Sequence, residues 1–75
     1  MKLETLDLHK TRHQDVEEKV ARFLNWVDPP CRIITGDSNK MKTIVKEMVD
    51  KYGYHCYNES ALNYGSLIVV EENYQ

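Results

Sequence analysis

Apolar and polar residues alternate at the start of the chain and then change period. Leu6 and Leu8 alternate with Asp7 and His9, which predicts a strand with the two leucines on one face and the acid and imidazole on the other. Val16, Val20, Phe23, Leu24 and Val27 then recur at steps of three and four, the mark of an amphipathic helix over about residues 14–27. Thr11 and Asp15 each open a capping-box pattern, with Gln14 and Glu18 three positions on, so either can start this helix. Asp28-Pro29-Pro30 ends it, because Pro30 has no N–H and also restricts Pro29.

The β-branched run CRIIT, Cys31 to Thr35, predicts a second strand. Gly36 to Asn39 forms a turn into a second helix, with Asp37 or Ser38 as its N-cap. Met41, Ile44, Val45, Met48, Val49 and Tyr52 mark that helix's apolar face over about residues 39–52. Gly53 stands where a left-handed residue closes a helix. YHCYN, 54–58, predicts a third strand, ESALNYG, 59–65, a polar loop, and SLIVVE, 66–71, a fourth and most buried strand. The tail, 72–75, is expected to fray. The order is βαβαββ in a single domain over 1–75. Each helix has one apolar face, so an α/β two-layer sandwich is expected, with a mixed four-stranded sheet and two helices. The βαβ crossovers should be right-handed and the last two strands antiparallel.

Composition narrows the function classes. A chain of 75 residues buries only roughly 60% of its unfolded surface, so the core must be compact. Its apolar residues recur too regularly for disorder. No apolar run approaches the ~20 residues of a membrane-spanning helix, and MKLETLDL is broken early by acids, unlike a signal sequence; a cytoplasmic protein is expected. Cys31 and Cys56 form no CxxC pair and are expected to be inert free thiols without a zinc site. The net charge of −2 confines any nucleic-acid site to a local patch. Two basic groups stand out: Lys10, Arg12 and His13 after the first strand, and Lys40 and Lys42 after the second.

Ligands of open α/β sheets bind beyond the carboxyl ends of parallel strands. Two such ends carry chemistry here, Asp7 to Lys10 and Thr35 to Ser38. If the first two strands are neighbours, these segments meet. A glycine turn before a helix presents backbone N–H groups and a helix dipole to an anion such as phosphate, with Lys10, Arg12 and Lys40 in support and Asp37 opposed. Asp7 and His9 on one strand face stand about 6–7 Å apart at their bases, which suits acid–base work by the imidazole with the carboxylate fixing its tautomer. A plain polar face of a half-exposed strand would carry the same two residues. Ser38 and Ser66 read as a cap and a strand start. The five tyrosines form no pattern for base stacking, and Trp26 falls off the apolar face of its helix.

LDLH at 6–9, an amphipathic helix, and RIITG at 32–36 opening a second helix together resemble the Smr (small MutS-related) domain, in its short single-domain form. The likeness runs through the closing GSLIVVE. It implies a βαβαββ sandwich similar to the C-terminal domain of translation initiation factor three, binding of DNA or RNA, and in many members endonuclease or nicking activity. Carried over, Asp7 and His9 are implicated in cleavage, and Thr35 and Gly36 in binding or cleavage, with Lys10, Arg12, Ser38 and Lys40 as phosphate contacts. Two positions depart from the family: Lys10 replaces the glycine of LDLHG, and Ser38 replaces the last glycine of TGxG. Some nuclease members depend on a divalent metal, but no third ligand beside Asp7 and His9 is identifiable. The expected partner is DNA or RNA, with no membrane, and the expected state is a monomer. The alternatives are a non-catalytic nucleic-acid-binding module and a protein-interaction domain using Trp26 or the tyrosine-rich last hairpin.

Overall fold

A computed structural model describes residues 3–60 and 63–71. Its elements are β1 (Thr5–Asp7), α1 (His13–Trp26), β2 (Cys31–Ile34), α2 (Asn39–Lys51), β3 (His55–Ser60) and β4 (Asn63–Val70). They form a sheet in the order β1-β2-β4-β3. β1 pairs with β2 in parallel, and β4 is antiparallel to both β2 and β3. The fold is the expected two-layer α/β sandwich, with a mixed four-stranded sheet and two helices.

Alternation along the strands divides the sheet into two unlike faces. Leu8, Cys31, Ile33, Leu67 and Val69 point to one side and pack against Val16, Val20 and Leu24 of α1 and Met41, Val45 and Val49 of α2. Phe23, Val27, Ile44, Met48 and Tyr52 close the rim of this core, so every apolar position marked by helical spacing faces it. A fully buried Val or Leu contributes about 1.5–3 kcal/mol relative to exposure, and this face holds the domain together. Among the described residues, the other face carries no helix. β4 is central and nearly fully buried from Ser66 to Val69, as its apolar run predicts.

The helix ends depart partly from expectation. α1 begins one residue earlier, with Arg12 as an N-cap that makes no side-chain hydrogen bond. Neither capping box forms. Thr11 instead donates its N–H to the Leu8 carbonyl at 2.8 Å, which closes a turn and leaves Arg12 at the boundary. Asp15 lies in the first turn, where a carboxylate meets the positive end of the helix dipole. At α2 the cap is Ser38, whose hydroxyl accepts the Met41 N–H at 3.1 Å. α2 ends in a Schellman motif: the Gly53 N–H donates to Asp50 and the Tyr54 N–H to Val49, with Gly53 at φ +79°.

The strand boundaries differ more. β1 ends at Asp7, so His9 lies past the strand rather than in it. Glu59 and Ser60 belong to β3, and Asn63 to Gly65 belong to β4, instead of forming one polar loop. Ser60 pairs with Asn63 after a register shift at Asn58. Glu59 is polar because it stands on the sheet face that meets no helix among the described residues, not because the backbone leaves the sheet. Residues 61–62 of the expected loop and the expected fraying tail, 72–75, lie outside the described residues. No helix among the described residues is long and apolar enough to cross a membrane.

Replacing Ser38 by alanine removes the α2 cap and should lower stability by about 1 kcal/mol. Urea unfolding followed by circular dichroism measures this; an unchanged midpoint would show that the cap contributes nothing.

Candidate functional site

Asp7 and His9 meet, though not through strand spacing. Beyond Asp7 the chain turns, and the Asp7 carboxylate oxygen Oδ1 accepts the backbone N–H of His9 at 3.0 Å. This is an Asx-type turn, in which an aspartate bonds the backbone two residues on. The same Oδ1 lies 3.1 Å from Nδ1 of the His9 ring. A carboxylate can only accept, so this contact selects the tautomer with its proton on Nδ1 and leaves Nε2 with a lone pair. The His9 backbone N–H, and then its ring, hold the Asp7 carboxyl below its ordinary value of 3.8. Both side chains are open to solvent.

The β2–α2 turn lies against this pair. A Cβ built on Gly36 would stand 3.6 Å from the Cβ of His9, and Gly36 has φ +70°, a region that favours glycine. The Gly65 carbonyl of β4 accepts the N–H groups of both Thr35 and Gly36, at 2.8 and 3.1 Å. The Gly36 amide is therefore turned toward β4 and not outward as an anion donor. A Cβ on Gly65 would come within 3.2 Å of the Gly36 backbone, so the two glycines permit this close approach. Thr35 is buried in the helix-facing layer, and its hydroxyl donates to the Gly36 carbonyl at 3.0 Å. In this geometry Thr35 braces the turn instead of offering a hydroxyl to a ligand.

Ser38 links the two helix starts. Its Oγ caps α2 and also lies 3.3 Å from Nε2 of His13, the first residue of α1. Lys10, Arg12 and Lys40 are exposed, at or just before these helix starts, where the positive dipole ends already favour an anion. Lys10 has φ +129°, a conformation that favours glycine and strains a side-chain-bearing residue.

The uncovered sheet face supplies residues that the sequence reading missed. Thr5, Arg32, Ile68 and Tyr57 stand in one row across the strands, and Asp7, Ile34 and Ser66 in the next. Arg32 donates to Oε2 of Glu59 at 2.7 Å, and Ser66 donates to Oε1 of the same carboxylate at 2.7 Å. Ser66 is thus a buried mid-strand residue, not a strand start. The Ser66 hydroxyl and the Arg32 guanidinium hold the Glu59 carboxyl below its usual range. These three side chains, with Ile34, wall a cavity of about 550 Å³ that His9 and the two glycines also line among the described residues. Only the period of two in CRIIT could have placed Arg32 here, and Glu59 was hidden by reading its segment as a loop.

The other candidates lie elsewhere. Cys31 is in the core, where burial pushes its thiol up to about 11, and burial also raises Cys56; both are free thiols. Among the described residues, no group of three or more His, Cys, Asp or Glu side chains could hold a metal ion. Trp26 is 88% exposed at the far end of α1, opposite the strand ends that hold Asp7 and Gly36. Comparison with protein-family profiles, with curated proteins and with solved structures finds no match for this chain.

Two measurements test this geometry. Because the backbone N–H of His9 is the larger cause of the Asp7 shift, a carboxyl NMR titration of His9→Ala should still find Asp7 below 3.8. The sign follows: a depressed folded-state pKa contributes stability above the ordinary value, lost as pH falls through the folded one. A full return to the ordinary value would remove the turn. Lys10→Gly should raise stability by about 1 kcal/mol, seen as an increase of about 4–8 °C in Tm; a fall would show that Lys10 is unstrained.

Proposed function

We propose that this chain is an Smr-like nucleic-acid-binding domain that cleaves or nicks phosphodiesters of DNA or RNA at the Asp7–His9 pair. The observation that carries this reading is the 3.1 Å contact between Asp7 Oδ1 and His9 Nδ1, made beside the Gly36 turn at the carboxyl ends of the parallel strands. Asp7 orients the imidazole and fixes its tautomer, and His9 Nε2 takes a proton from the attacking oxygen or returns one to the leaving oxygen. Lys10, Arg12 and Lys40 neutralise phosphates around the two helix starts. Gly36 contributes by carrying no side chain between the backbone and His9, while Thr35 and Ser38 keep the turn in place. The motif pair LDLH and TGDS, in this order and on these strands, supports the same reading.

The test is incubation with supercoiled plasmid and with structured RNA, with and without Mg²⁺, beside an Asp7→Ala/His9→Ala variant. The substitution should reduce cleavage by about 10²–10⁴-fold, the usual contribution of general acid–base catalysis. Cleavage that survives it would move the chemistry elsewhere. Binding without cleavage by the native protein would leave the non-catalytic module.

The exposure of Trp26 favours a second reading, a protein-interaction domain. Salt dependence separates the two. A site holding three or so phosphates should lose affinity with a log–log slope of about −2 to −3, whereas a flat response would favour a protein partner.

A further inference from the structure

We infer that the cavity on the uncovered sheet face is a base-reading subsite selective for guanine, with Glu59 and Arg32 as its specificity-determining pair. This inference rests on the nucleic-acid reading of the Asp7–His9 site and assigns a role to residues that the cleavage chemistry does not use.

The side chains of Arg32 and Glu59 are 31% and 29% exposed, in the wall of a cavity of about 550 Å³, within the size range of small-molecule sites. Ser66 Oγ and the Arg32 guanidinium each donate to a different oxygen of Glu59, both at 2.7 Å, and so fix the carboxylate in orientation. Each carboxylate oxygen can accept two hydrogen bonds, so each keeps one acceptor position. Arg32 keeps further N–H donors, and its Nε is buried with no partner among the described residues.

Along the pair the order is therefore acceptor, acceptor, donor, the order that cytosine presents to guanine. The N2 amino group and N1–H of guanine would donate to the two Glu59 oxygens, and O6 would accept from Arg32. Adenine and cytosine each bring one amino donor and face at least one carboxylate oxygen with an acceptor. Uracil brings N3–H but sets a carbonyl against the other oxygen. Ile34 supplies an apolar surface within the cavity. His9 lines the same cavity, so a nucleotide whose base enters it carries its phosphate toward the Asp7–His9 pair.

The experiment is titration of the ¹⁵N-labelled protein with GMP, IMP, AMP, CMP and UMP in turn, read by amide shifts. It is repeated on Glu59→Gln. GMP should bind at least about tenfold more tightly than AMP, CMP or UMP, the discrimination expected of a good bidentate contact. IMP, which lacks the N2 amino group, should fall between. Shifts should centre on Ile34, Gly36 and Ser66, and the preference should vanish in Glu59→Gln. The titration reads binding without cleavage, so a guanine preference in a protein that cuts neither plasmid nor RNA would sink the cleavage reading and leave this one standing. Equal binding of the four common nucleotides, no binding at millimolar concentration, shifts centred elsewhere, or a guanine preference that survives Glu59→Gln would each overturn the inference. If Glu59→Gln does not fold, the GMP-to-IMP ratio and the shift map of the native protein decide.

Discussion

The carbonyl oxygen of Gly65 accepts hydrogen bonds from the N–H groups of Thr35 and Gly36, and the geometry of the candidate site follows from that double bond. It pulls the β2–α2 turn onto β4 until the backbones of Gly36 and Gly65 are in close contact, an approach that a Cβ on Gly65 would crowd at 3.2 Å. The turn then runs beside His9, whose position is set from the other side by the Asp7 carboxylate. Ser38, the next cap along, starts α2 and reaches His13 at the start of α1. One backbone acceptor thus couples the central strand, the turn, the imidazole and both helix starts.

A second constraint is the asymmetry of the sheet. Two helices are enough to cover one face, and the core of valines, leucines and isoleucines on that side accounts for the fold. The opposite face has no third layer, so its strands can carry Asp7, Arg32, Glu59 and Ser66 without burying an unpaired charge. Where these polar groups do become partly buried, they bond one another through the Arg32–Glu59–Ser66 cluster, with Arg32 Nε left without a partner among the described residues. Stability and candidate chemistry are therefore divided between faces, and substitutions on the open face should change ligand contacts more than folding. Trp26 belongs to neither system, since it lies at the opposite end of α1.

The architecture was legible because periodicity reports burial directly. Val16, Val20 and Leu24, and Met41, Val45 and Val49, fall on the core-facing stripes that their spacing marks, and Gly53 closes α2 as a glycine at that place should. Local chemistry was less legible. Asp7 and His9 were placed on one strand face, yet they meet through a turn, because a carboxylate that captures an amide two residues on competes with strand pairing. The capping boxes at Thr11 and Asp15 lost to a backbone turn closed by Leu8. Arg32, Glu59 and Ser66 are far apart in the chain, and nothing local signals that a register shift and an antiparallel partner bring them together. The strain at Lys10 was not legible, because only the backbone angle reveals it.

The proposed function requires that nucleic acid meet the protein where Asp7, His9 and the Gly36 turn converge. An amide-shift map of the labelled protein bound to a short RNA hairpin, and separately to a DNA duplex, tests it most directly. The account predicts the largest shifts at His9, Lys10, Gly36 and Lys40, with at least one of the two nucleic acids. Shifts centred on Trp26 and the far end of α1, or none with either nucleic acid, would contradict it.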